Sequence, residues 1–178
     1  MNKIFKELCK KGNLEEIKKF YFDNPTIDIS ANNAYVFLST CYYGHLKVAK
    51  WLLEVKPNIK ISVYQEFAFI YSCEKGNLKV AKWLFQVKPD IKYYTDAFRW
   101  TCDNGHLKVA KWLLEIKPDI NISADNEYAF NYAGSYRHLK VVKLLLQQNP
   151  KKYYIFANHN SMKFRKTYNK KDQIAKLL

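Results

Sequence analysis

The residues best equipped for chemistry in this 178-residue chain are its four cysteines and four histidines. Thiolates and imidazoles could hold a metal, and thiols could pair as disulfides, but both uses need ligands that converge. Cys9, Cys41, Cys73 and Cys102 stand 32, 32 and 29 residues apart, and no CxxC pair occurs. They read as one repeated place filled by a small buried thiol, a place Gly134 takes once. His45, His106 and His138 recur in the same way, as loop or cap residues and not as ligands. No His-Glu-x-x-His, nucleophile elbow, kinase signature or glycine-rich phosphate loop is present, and the carboxylates are scattered singly. The sequence therefore predicts a protein that is no enzyme and holds neither metal nor cofactor.

The spacing of those residues comes from a recurring frame. Gly44-His45-Leu46-Lys47-Val48-Ala49-Lys50-Trp51-Leu52 returns from Gly76 and from Gly105, with weaker copies from Gly12 and Arg137. The starts differ by 32, 32, 29 and 32 residues, and Pro25, Pro57, Pro89, Pro118 and Pro150 each follow a start by 13. A short unit repeated end to end marks a solenoid, whose units bury their apolar faces only against neighbours.

One unit shows what positions the repeated residues. Phe67, Ala68, Phe69, Ile70 and Cys73 predict a short first helix over Glu66–Lys75, ended by Gly76. Val80, Ala81, Leu84 and Phe85 form one stripe of a second helix from Leu78 to Val87, with Pro89 beyond it. An extended segment leads to the next unit. This pattern resembles the ankyrin repeat through Gly44-His45, Gly105-His106, Leu52-Leu53 and Leu113-Leu114. The family's Thr-Pro-Leu-His segment is replaced, as by Phe67-Ala68-Phe69-Ile70. Leu38, Ile70, Arg99 and Asn131 stand where its histidine would tie neighbouring helices, so aromatic packing is expected instead. The wording Gly-His-Leu-Lys-Val-Ala-Lys-Trp-Leu-Leu-Glu is similar to the ankyrin arrays of giant DNA viruses of amoebae. The resemblance covers about residues 3–150 and implies an all-α array that binds partners through finger loops and first helices.

The expected organisation is a single ankyrin-repeat domain over 1–178, with units at about 1–29, 30–61, 62–93, 94–122 and 123–154 and a C-terminal cap over 155–178. Lys19, Trp51, Trp83, Trp112, Leu144 and Lys176 share one place, apolar in the middle and cationic at the ends, as capping demands. The short third interval predicts one blunted finger between Pro89 and Phe98. No apolar run is long enough to span a bilayer, and the start lacks a signal-peptide core. An intracellular, monomeric protein is expected, in the cytoplasm or nucleus of a host cell.

Two surfaces follow from the periodicity. Lys47, Lys50, Lys79, Lys82, Lys108, Lys111, Lys140 and Lys143 fall on outward places of the second helices. They could attract a polyanion. The concave side is expected to carry Tyr42, Tyr43, Tyr64, Tyr93, Tyr94 and Tyr136 among Glu74, Asp103, Asp125 and Glu127. Tyrosines suit protein interfaces, because they offer area at little entropic cost. The leading expectation is a partner protein with a basic or amphipathic segment. The alternative is nucleic acid, held by the lysines and by a C-terminal stretch whose net charge of +7 is half the total of +14.

Overall fold

The computed structural model describes residues 3–29, 31–57 and 61–150, without the side chains of 31–34 and 61–65. Among the described residues there are ten helices and no strands, an all-α array of helix pairs. Contacts divide the chain into two compact units, Met1–Tyr93 and from Tyr94 onward. The first holds α1 (Lys3–Lys11), α2 (Leu14–Asp23), α3 (Ala31–Tyr42), α4 (Leu46–Val55), α5 (Ile61–Glu74) and α6 (Leu78–Val87). The second holds α7 (Tyr94–Asp103), α8 (Leu107–Ile116), α9 (Ala124–Ser135) and α10 (Leu139–Gln148). The expected cap over 155–178, with Lys176, lies outside the described residues.

Each pair closes over the same apolar places. One phenylalanine per repeat, Phe5, Phe37 and Phe69 in the first unit and Phe98 and Phe130 in the second, is fully buried. The second helices bury Val48, Ala49 and Leu52, then Val80, Ala81 and Leu84, with equivalents in α8 and α10. In the first unit α1 packs on α2 and α3, α3 on α4 and α5, and α5 on α6. In the second, α7 packs on α8 and α9, and α9 on α10. Trp51 is buried with its ring edge-on to Tyr21 at 5.4 Å, and Trp83, half-buried, meets Phe37 at 6.4 Å. Both contacts join neighbouring repeats. Lys19 at the same place is exposed.

The frame glycine closes each first helix. Gly76 N–H donates to Cys73 O at 3.1 Å and Asn77 N–H to Ser72 O at 2.8 Å. That is the paired bonding of a Schellman motif, and it needs a left-handed residue. Gly44 and Gly105 repeat it with φ of +83 and +76.

The tie between repeats differs from expectation. The residue after the glycine caps nothing in its own helix at His45 or Asn77. It reaches back instead. His45 Nε2 lies 2.6 Å from Lys10 O, and Asn77 Nδ2 donates to Tyr42 O at 2.7 Å. These polar groups satisfy carbonyls left orphaned at the end of the previous first helix. A polar tie therefore survives, supplied from a different place than the family's histidine.

The first helices also begin earlier than expected. No glycine or proline stands between Pro57 and Gly76, so nothing stops α5 from starting at Ile61. The three-residue deletion shortens a helix: α7 has 10 residues, against 12 and 14 in α3 and α5.

Candidate functional site

In the first unit the tyrosines gather on α3 and α5. Tyr35, Leu38, Ser39, Tyr42, Tyr43 and Tyr71 line an open pocket of about 330 Å³. Tyr42 meets Tyr43 edge-on at 5.0 Å and Tyr71 at 6.2 Å, and Phe67 lies 6.4 Å from Tyr71. Tyr43, 49% exposed, stacks beside His45 at the mouth. The chain's own cations occupy two of the rings. Lys75 Nζ sits 4.8 Å over Tyr42 and Lys6 Nζ 4.8 Å over Tyr35. Glu74 is within 2.9 Å of Lys75, and Glu7 within 2.7 Å of Lys10. Hydrogen bonding with Tyr42 and Glu74 holds the Lys75 ammonium above its ordinary range. Tyr93, 49% exposed, stands at the end of this unit, away from the tyrosine pocket's lining.

The second unit carries a separate ladder. Trp100 meets Tyr128 at 6.0 Å, Tyr128 stacks on Tyr132 at 4.1 Å, and Tyr136 follows at 6.3 Å. Tyr136 is 61% exposed. Arg99 covers Tyr128 at 4.7 Å and pairs with Asp96 at 3.1 Å and with Asp125. Burial, then the nearby Asp103 carboxylate 3.4 Å away, pushes the Tyr128 hydroxyl up to about 12. It stays protonated and can donate to Asp103.

Two expected site residues are corrected. Tyr94 opens α7 instead of sitting in a loop, and its ring is taken into the fold, 8% exposed. Glu127 is 5% exposed. Asp125, Asn126 and Glu127 have φ of 51, 54 and 62, and this left-handed run turns the Glu127 carboxylate inward while Asp125 stays outside. The Tyr64 side chain lies outside the described residues. Tyr35 and Arg99 were not singled out as binding residues. The signal for Tyr35 was its place, shared with Phe67, Asp96 and Tyr128, nine residues before each frame start. Arg99 was visible only as a missing histidine, and its two acidic partners lie on different helices.

Lys47, Lys50, Lys79 and Lys82 in the first unit are exposed, as are Lys108, Lys111, Lys140 and Lys143 in the second. All four cysteines are buried. Burial pushes the Cys9 thiol up to about 12 and raises Cys41, Cys73 and Cys102 as well. Among the described residues no group of three or more histidine, cysteine or acidic side chains could hold a metal ion. Among them, too, no helix is long and apolar enough to cross a membrane.

A family model for ankyrin repeats, in three copies, matches residues 5–95. The chain belongs to the ankyrin-repeat family. Ankyrin repeats generally mediate protein–protein interaction and are generally non-catalytic scaffolds. A comparison with curated proteins gives no match.

Proposed function

We propose that this ankyrin-repeat protein is a non-catalytic scaffold that binds a partner protein through the tyrosines of its first helices. The observation that carries the reading is the gathering of solvent-facing rings, Tyr35, Tyr42, Tyr43 and Tyr71 in one unit and Tyr128, Tyr132 and Tyr136 in the other. Such rings supply the large, stiff, amphipathic area from which interface hot spots are built. Glu74, Asp103 and Asp125 belong to these clusters, and Tyr93 offers a separate exposed ring. On the resemblance of the repeat wording to arrays of giant DNA viruses of amoebae, the reading is of a viral protein acting inside a host cell, and as a monomer.

The test is affinity capture from an amoeba extract with the wild-type chain and with Tyr43→Ala/Tyr136→Ala. Both rings are exposed, so the variant should keep the helicity of the wild type. The wild type should retain a protein that the variant loses. Equal capture by both would refute the reading. A second reading is favoured by the exposure of all eight outward lysines. In it the second helices, with the basic stretch 151–178, hold a nucleic acid.

A further inference from the structure

We infer that the tyrosine pocket of the first unit takes an aromatic or leucine side chain from an acidic segment of the partner protein. The inference rests on the scaffold reading and reverses the basic partner that the sequence suggested. Tyrosine faces are natural seats for cations, but on two of the four rings lining the pocket a seat is already taken. Lys6 covers Tyr35 and Lys75 covers Tyr42, each at 4.8 Å. The carboxylates beside them are also engaged, Glu7 with Lys10 at 2.7 Å and Glu74 with Lys75 at 2.9 Å. Glu66, on the same helix as Tyr71, is paired with Lys88 at 3.4 Å. An arriving arginine or lysine would meet three ammonium groups and only carboxylates already in ion pairs.

An arriving carboxylate meets the same two ion pairs with Lys6 beside them. Lys6, Lys10 and Lys75 exceed Glu7 and Glu74 by one charge at the mouth. The sum of charges there favours an anion flanking the inserted group. Lys10 lies near the hydroxyls of Tyr35 and Tyr43, and its hydrogen bond to Glu7 raises its ammonium above the ordinary range. The pocket itself is apolar but for Ser39 and the tyrosine hydroxyls, with Leu38 among its walls.

Ring geometry favours a peptide side chain over a nucleobase. Tyr42 meets Tyr43 and Tyr71 at interplanar angles of 76° and 79°, so Tyr42 forms a parallel slot with neither. A base stacks on an open ring face, and one face each of Tyr35 and Tyr42 lies under a lysine. Ring edges and a leucine wall suit a branched or aromatic side chain instead.

The experiment pans a phage-displayed random peptide library on the full chain. The leading peptide is then titrated against wild type, Tyr43→Ala and Lys6→Glu. Enriched sequences should place aspartate or glutamate beside phenylalanine, tryptophan or leucine. Binding should weaken about tenfold or more in each variant. Basic peptides that still depend on Tyr43 would overturn the acidic partner and leave the scaffold reading standing. Displacement of the leading peptide by oligothymidylate at equal concentration would assign the pocket to single-stranded nucleic acid. Peptides indifferent to Tyr43, or no enrichment at all, would overturn the inference and remove this pocket from the scaffold reading too. Capture dependent on Tyr136 alone would then still support the other cluster.

Discussion

Cys9, Cys41, Cys73 and Cys102 occupy one place in successive repeats, and none is exposed. Each is buried, so an ionised thiolate would lose its hydration, a cost that hydrogen bonds from Thr40 and Ser72 offset only in part at Cys41 and Cys73. Cys9 shows the consequence for stability. Its thiol is pushed up to about 12 in the fold, against about 8.5 in an unfolded chain. The folded state therefore holds this proton longer. The associated stability is complete below about pH 8.5 and is lost as pH rises from there toward the folded value, at about 1.4 kcal/mol per pH unit. Between about pH 7.5 and 9.5 the wild type should lose about 1.4 kcal/mol more than Cys9→Ala, as read by urea denaturation. An equal fall in both proteins would mean that water reaches the thiol. The same burial explains why a chain with four cysteines and four histidines offers so little chemistry. The thiols are walled off, and His45 uses Nε2 to tie a neighbouring repeat through Lys10 O.

The turn between the two helices of a repeat sets the spacing of every other feature, and glycine is needed there twice over. At Gly44 the backbone has φ of +83, and an added Cβ would lie 2.5 Å from Asn77 Oδ1. At Gly12 and Gly105 it would strike the rings of His45 and His138. Gly44→Ala should therefore cost about 1–2 kcal/mol for the left-handed backbone, and more for the displaced tie. Arg137 supplies the opposite test. It holds the glycine place at φ 60 with the same pair of turn bonds, 3.0 Å to Gly134 O and, from His138, 2.8 Å to Ala133 O. Arg137→Gly should stabilise by about 0.5–1 kcal/mol, the relief of strain less the entropy that glycine adds to the unfolded chain. Chemical denaturation of the two variants checks both signs, and a destabilised Arg137→Gly would show that the arginine side chain outweighs the strain. This element was legible in the sequence because glycine and the 3.6-residue stripe are local signals. The first turns were not. The start of α5 at Ile61 follows from a lack of helix breakers, which sets no boundary in the sequence, and the left-handed opening of α9 at Asp125, Asn126 and Glu127 has no glycine to announce it. Glu127 was misplaced for that reason.

Charge is the property that belongs to the whole chain. The net +14 is divided equally between residues 1–150 and 151–178. Within the described part it is sorted by helix. The acids of the first helices are largely met by the chain's own cations, as in Glu74–Lys75, Glu66–Lys88 and Asp96–Arg99–Asp125. The lysines of the second helices stand exposed. Sequence pattern located those lysines correctly, because outward places follow from helix periodicity alone. The pairing of the acids is legible in part, since Glu74–Lys75 and Asp96–Arg99 are close in sequence, whereas Glu66–Lys88 and Asp125–Arg99 join different elements and cannot be read from spacing along one helix. The sorting separates the two functional readings by experiment. If the lysines engage phosphates, affinity for a single-stranded oligonucleotide should fall with salt, at about 0.7 log units per tenfold salt for each lysine engaged. Replacing Lys47, Lys50, Lys79 and Lys82 together with glutamine should then flatten that slope by about 3. The same variant should bind the leading acidic peptide nearly as the wild type does, since none of the four lines the tyrosine pocket. No oligonucleotide binding at low salt would remove the polyanion reading and leave the lysines as a solvated surface. An unchanged slope would move phosphate contact to the basic stretch 151–178. Loss of peptide binding in this variant would show that the second-helix lysines, and not Lys6, Lys10 and Lys75, supply the field that an acidic partner meets.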